Sequence, residues 1–187
     1  MIKKDICVDM LDKIRRLIEL SAGEFEYIDL AMIARLDGTR CMLKAWGARE
    51  ALQQAGLFHQ AYCKGQVYDR QLLSQHQRQL IAEVIGQESE NIVYHYCACD
   101  REYFFNSLMQ DAVPMYIDRF TQSQTCLAPQ LLNDLCEIFV ATELESLLNT
   151  PANTAVTARH PRQLFSCLAP YLSRGANNKL TQLLVRP

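Results

Sequence analysis

The sequence predicts an all-α fold, predominantly helical, with one small β-hairpin near residues 113–128. Through most of the chain apolar residues recur at steps of three and four, the spacing of amphipathic helices. One stretch alone reads as strand, polar turn and strand. Size and composition agree with a packed fold: 187 residues, 49% hydrophobic and 21% charged, can bury a real core and exclude disorder of the whole chain. A single domain over 1–187 is expected.

Cys7, Met10, Leu11, Ile14, Leu17 and Ile18 form one apolar stripe, and Ser21-Ala22-Gly23 ends that first helix. Residues 29–46 give a second, with Ile33, Leu36, Leu43 and Trp46 on one side; Gly38 inside it points to close packing, and Gly47 suits its end. A short helix is expected through Ala48–Ala55, then Gly56, then a buried helical segment over Leu57-Phe58 and His59–Cys63, broken by Lys64-Gly65. Residues 70–85 carry Leu73, Leu80, Ile81 and Val84, and Gly86 stops them. Residues 87–99 follow, with Glu88 and Glu90 suited to the first turn. Asp100 to Met109 reads as a further short helix.

In the hairpin, Met115–Phe120 and Thr125-Cys126-Leu127 are the strands and Thr121–Gln124 the turn. Pro129 suits the first turn of the next helix, about 130–148. There Leu132, Leu135, Phe139, Thr142 and Ser146 share a side, flanked by Leu131 and Ile138. A loop over 149–154 leads to a helical extension within 155–187, which carries helix over about 161–185, interrupted at Pro170 and at Arg174–Asn178.

Lys+Arg 19 nearly balances Asp+Glu 21, so no global positive field supports nucleic-acid binding. No apolar run reaches the roughly 20 residues of a membrane span. Charges at Asp9, Asp12, Lys13, Arg15 and Arg16 are foreign to a signal peptide. A soluble, cytoplasmic protein is expected. The eight cysteines are scattered singly apart from Cys97 and Cys99 and show no zinc-knuckle spacing, so they read as reduced, mostly buried small hydrophobes.

Phosphate-loop, nucleophile-elbow and zinc-helix motifs are all absent. Of the histidines, His59 lies in an apolar segment; it is either a core residue bonded to a backbone carbonyl or a metal ligand or general base. His76 reads as packing and His160 as solvated. His95, between Tyr94 and Tyr96, stays ambiguous. Thr142 is expected to bond back to the carbonyl of Ile138. Glu143, at the margin of the same face, needs a partner if partly buried. Arg35, among Ile33, Ala34 and Leu36, either supplies that partner or reaches past its apolar neighbours to water.

Several stretches together resemble a known family. Arg35-Leu36-Asp37-Gly38-Thr39 with Leu43-Lys44-Ala45-Trp46-Gly47 resembles D-H-L-x-G-T-x-x-L-L-K-A-W-G. Ala55–Tyr62 resembles A-G-L-F-H-S-I-Y-G. Ile85–Glu90, Val93-Tyr94 and Cys97–Arg101 resemble V-G-x-x-A-E-x-L-V-Y-x-F-C-x-x-D-R, and Ala141–Glu145 resembles A-N-E-L-E-Q. The family is a domain of unknown function related in helix order to HD-domain proteins, and the resemblance spans about residues 30–148. It implies an HD-like helical shell around a metal held by a His, a His-Asp pair and a distant Asp. Here Arg35 stands for the first His, His59 matches the second, Gln60 replaces the Asp beside it, and Thr142 stands for the last Asp. The resemblance thus implies a lost metal site and no cofactor.

Three functions follow as expectations. In the preferred one the chain is a binding or regulatory module for a small, anionic molecule, with Arg35, Gln60, Tyr62, His95, Asp100 and Thr142 as ligand-binding residues. In the second it is an enzyme with a rebuilt site: His59 and Glu143 are catalytic, or His59, His95 and a carboxylate hold iron, manganese or zinc for HD-type hydrolase or oxygenase chemistry. In the third it is an interaction protein that forms a homo-oligomer.

Overall fold

A computed structural model of the chain describes residues 8–20, 30–63, 73–149 and 161–184. Its elements are predominantly helical: α1 (Val8–Leu20), α2 (Leu30–Ala45), α3 (Glu50–Phe58), a 3-10 turn (Gln75–Gln77), α4 (Arg78–Ile85), α5 (Gln87–Ala98), α6 (Arg101–Gln110), α7 (Pro129–Asn149), α8 (Pro161–Leu168), a second 3-10 turn (Ala169–Tyr171) and α9 (Arg174–Leu184). Strands β1 (Tyr116–Asp118) and β2 (Ser123–Thr125) pair antiparallel, Tyr116 opposite Thr125 and Asp118 opposite Ser123. No helix among the described residues is long and apolar enough to cross a membrane.

Helix α7 runs through the centre, against α2, α3, α5 and α8. The sequence suggests one apolar face for it. Instead, every residue from Asp134 to Ala141 is buried, and Leu135, Cys136, Ile138, Val140 and Ala141 are fully so. A helix enclosed on all sides has no wet face, so its acidic residues need partners inside the protein. Asp134 pairs with Arg49 and accepts from Gln130 Nε2 at 3.1 Å. Glu137 Oε1 accepts the Ser173 amide at 2.7 Å, and Glu145 Oε1 accepts from Asn149 Nδ2 at 2.7 Å. Gly38 of α2 is where that helix meets Glu145: a Cβ there would lie 2.9 Å from the Glu145 Cγ.

Four sequence boundaries shift. Helix α3 runs through Gly56 to Phe58, and no helix follows over His59–Cys63; the amides of Ala61 and Cys63 bond the carbonyls of Phe58 and Gln60 at 2.9 and 3.0 Å, three residues back, as in turns. Within 70–85, residues 70–72 lie outside the described part, and α4 begins only at Arg78, after a 3-10 turn stapled by Ser74 and Gln77. His76, on that turn, is exposed rather than packed. The hairpin turn starts at Arg119, because Asp118 Oδ1 accepts the amides of Phe120 and Thr121 at 2.8 and 3.1 Å. Finally, Arg174–Asn178 opens α9 instead of breaking it: Ser173 Oγ accepts the Ala176 amide at 3.3 Å, and the Asn177 side chain donates to the carbonyls of Ala169 and Leu172. The loop expected over 149–154 and His160 fall in residues outside the described part, Asn149 apart.

Gly175 is where α9 touches the end of α2. A Cβ there would stand 2.1 Å from the backbone oxygen of Trp46 and 2.8 Å from its carbonyl carbon. Backbone cannot swing aside as a side-chain tip can. A Gly175→Ala variant is therefore expected to lose about 2 kcal/mol by overpacking despite its better helix propensity, read as a lower urea midpoint with an unchanged slope.

Of the cysteines, Cys97, Cys99 and Cys136 are buried, but Cys63 and Cys167 are only partly so and Cys41 and Cys126 are exposed; all seven are free thiols. The expectation that most are buried is too simple. Cys7 lies outside the described residues.

Candidate functional site

His59 is the first residue after α3, in the turn that leads to α4. The turn is anchored twice: Leu73 N–H donates to Ala61 O at 2.9 Å, and His59 Nδ1 lies 2.7 Å from Gly56 O. A carbonyl only accepts, so Nδ1 carries the proton and Nε2 keeps a lone pair. Nε2 meets the Gln60 side-chain nitrogen at 3.4 Å, a long contact. The ring is 4% exposed. Burial holds its pKa down near 4, with the charges of Arg101 and Arg35 pushing the same way and the Gly56 bond opposing them. His59 is thus a neutral imidazole at physiological pH.

Around it stands a polar–aromatic wall. The Tyr96 ring from α5 meets His59 edge-on at 5.4 Å, and its hydroxyl donates to Thr142 Oγ1 of α7 at 3.3 Å. Thr142 in turn donates to Phe139 O at 3.0 Å, three residues back, where the sequence suggested Ile138 four back. Arg101, at the start of α6, lays its guanidinium over Tyr96 at 4.9 Å and over Phe139 at 5.3 Å, a cation–π arrangement. Arg35, exposed on α2, is the second cation whose charge reaches His59. Among the described residues neither arginine forms an ion pair, and Arg35 does not pair with Glu143.

Two thiols close the back of this site. Cys63 and Cys97 place their Sγ atoms 3.2 Å apart, and both lie on His59 O, at 3.8 and 3.1 Å. Hydrogen bonding to Cys97 lowers the Cys63 thiol to about 7 against its burial, helped by Arg101 and Arg119. Burial raises that of Cys97.

The other residues singled out in the sequence lie elsewhere. Tyr62 is fully buried and donates to Glu90 Oε1 at 2.7 Å. Glu90 also takes Arg78 Nε at 2.7 Å and Nη2 at 2.8 Å. Arg78 sits 3.8 Å over the Tyr94 ring, and Tyr94 donates to Asp118 Oδ2 at 2.8 Å. His95 belongs to this second network: its Nδ1 donates to Asn91 O at 2.8 Å, its ring packs on Tyr94 and Tyr116, and burial lowers its pKa. Asp100 caps α6 by accepting the Tyr103 amide at 3.0 Å. Glu143 is half-buried on α7. The structure therefore gathers His59, Gln60, Thr142 and the charge of Arg35, and leaves Tyr62, His95 and Asp100 in other roles. It adds Tyr96, Arg101 and Cys63, which sequence spacing did not single out.

This donor set does not fit a resident metal. No group of three His, Cys, Asp or Glu side chains among the described residues is placed to hold one. His59 and His95 answer to different charges, Arg101 and Arg35 for the first, Arg78, Asp118 and Glu90 for the second. The two cations whose charges act on His59 would repel a dication.

A family model described as a domain of unknown function (DUF6817) matches residues 16–101. That span holds Arg35, His59, the two thiols, Tyr96 and, as its last residue, Arg101. No curated protein and no solved structure matches the chain.

Proposed function

We propose that the chain is an HD-like helical shell, a single domain, that binds a small anionic molecule between Arg101 and Arg35, beside a neutral His59, in place of metal chemistry. One observation carries the reading: the charges of two arginines, Arg101 and Arg35, both act on the same buried imidazole, and among the described residues neither forms an ion pair with a carboxylate. Arginine offers a planar fork of donors that suits phosphate or carboxylate. Tyr96 and Phe139 hold the Arg101 group in place in advance, which lowers the ordering cost of binding. The neutral Nε2 of His59 and the Gln60 amide give the ligand an acceptor and a donor. The free thiols suit a reducing compartment such as the cytoplasm.

A second reading, a metal-free enzyme with His59 as general base, draws on the unprotonated Nε2. A base whose conjugate acid has a pKa near 4 takes protons weakly at neutral pH. Asp100, engaged as a helix cap, leaves the ring without an orienting carboxylate. Binding is the better use of this geometry.

The test is a thermal melt of the full chain with inorganic phosphate, pyrophosphate and malonate against chloride at equal ionic strength. At least one anion is expected to raise Tm, by the equivalent of about 2.7 kcal/mol at a hundredfold excess over Kd. Arg101→Met or Arg35→Met is expected to weaken that anion roughly ten- to a hundredfold, the worth of a charged hydrogen bond. A wild-type protein indifferent to all three anions, or an undiminished rise in Arg101→Met, rejects the site.

A further inference from the structure

We propose that Cys63 and Cys97 are an oxidisable dithiol, closed to an intramolecular disulfide by hydrogen peroxide. The inference stands on the placement of the thiols and not on the anion site. Their sulfurs are 3.2 Å apart, about 1.2 Å beyond a covalent S–S bond. They come from different segments, Cys97 from α5 and Cys63 from the turn after α3, 34 residues apart in sequence. Both already point at one atom, the carbonyl oxygen of His59. Closing the bond thus asks for a small shift of the turn and no rearrangement of helices.

The two thiols are unequal, as dithiol chemistry requires. Cys63 is partly exposed and Cys97 buried. Cys97 and the charges of Arg101 and Arg119 favour a thiolate on Cys63, with a pKa of about 7. Burial keeps Cys97 protonated. Cys63 is therefore the attacking sulfur and Cys97 the resolving one. The Cys63 thiolate attacks one peroxide oxygen; the O–O bond breaks, and hydroxide leaves and takes a proton to become water. The product is a sulfenic acid on Cys63. The Cys97 sulfur, giving up its proton, then attacks the Cys63 sulfur; the S–O bond breaks and the second oxygen leaves as water. In sum, two thiols and one peroxide give a disulfide and two waters. The sulfurs lose two electrons and the peroxide gains them.

Other thiols are less well placed. Cys99 is buried and its pKa is pushed up to about 12, and Cys126 is exposed but faces the Met115 sulfur at 3.2 Å. The experiment treats the full chain, in a Cys41→Ser/Cys126→Ser background, with one equivalent of hydrogen peroxide at neutral pH. Free thiols are then alkylated and the protein is digested without reductant. The expected product is a peptide pair joining Cys63 to Cys97, with two thiols lost per chain and both restored by dithiothreitol. In Cys63→Ser the loss of the Cys97 thiol should slow roughly tenfold or more, since the thiolate carries the attack. Cys63 and Cys97 both still alkylated in full overturns the proposal, as does a cross-link of either to another cysteine. Equally fast oxidation of Cys97 in Cys63→Ser overturns the assigned order of attack.

Discussion

An Arg78→Met variant is expected to lose about 3 kcal/mol of stability, the low end of what removing one partner of a buried ion pair costs. Glu90 is fully buried on α5. Its two oxygens take the Arg78 guanidinium as a fork, at 2.7 and 2.8 Å, and the Tyr62 hydroxyl at 2.7 Å. Methionine keeps much of the stem and its packing but removes the charge and both donors. Tyr62 and a long contact from Gln87 at 3.5 Å then remain for a carboxylate that has no access to water. Arg78 itself is 34% exposed, so water reaches its side of the pair and the loss stays at the low end. The cation–π contact with Tyr94 at 3.8 Å goes too.

The same physics gives the discriminating variant. In Arg78→Met/Glu90→Gln the buried charge is gone, and the amide still accepts from Tyr62. The double variant is expected to recover a kilocalorie or more over the single, a coupling of the size seen for residues in one network. Urea unfolding of wild type, Arg78→Met, Glu90→Gln and the double variant is the measurement. A single-variant cost below about 1 kcal/mol, or no recovery in the double, means that Arg78 contributes only as a surface charge.

This network also marks how far the sequence is readable. Periodicity finds α2, α5 and α7 because Leu36, Leu43, Ile92, Val93, Leu135 and Phe139 repeat at helical steps and are all buried. Periodicity also expects an acid on a helix to face water. Glu90, Asp134 and Glu137 break that expectation, since their partners come from elsewhere in the chain: Arg78 lies 12 residues from Glu90, Arg49 lies 85 from Asp134, and Ser173 lies 36 from Glu137. No local pattern carries such pairings.

The candidate site divides the same way. His59 stands out locally because it interrupts an apolar run, and Arg35 because it is a cation among aliphatic residues. Arg101 closes the Cys97–Arg101 stretch without any local sign of its role, which depends on rings from α5 and α7. The pair Cys63 and Cys97 is equally invisible. The conspicuous spacing is that of Cys97 and Cys99, but Cys99 lies past the end of α5, in a β-bridge with Asp118. The resemblance to a domain of unknown function, read over about residues 30–148, overlaps the family model's match to residues 16–101; the relation to HD proteins is a proposal drawn from helix order, and of the four ligand positions His59 alone keeps its ligand.

The pH dependence of stability should carry the signature of His59. Its pKa is near 4 in the folded protein, against about 6.5 in an unfolded chain. Above about 6.5 the ring is neutral in both states and folding costs it no proton. Between 6.5 and 4 the unfolded chain binds a proton that the folded one refuses, so stability falls as pH falls through that window. The limit is about 3 kcal/mol for this one ring. His95, whose pKa burial also lowers, adds to the same slope. His59→Asn keeps a donor near the position of Nδ1 for Gly56 O but cannot titrate. Its stability between pH 6.5 and 4 should therefore fall less steeply than wild type, by up to that amount. An identical slope in both proteins, or a His59 resonance titrating near 6.5, means that the ring is open to water. The arginines make a sharper form of the same test. Their charge helps hold the His59 pKa down, so Arg101→Met is expected to raise it. An anion lodged between Arg101 and Arg35 should raise it as well in wild type, whereas chloride at equal ionic strength should not. The imidazole is then a reporter of the anion site, and its pKa must respond to the ligand if the two guanidinium groups hold it.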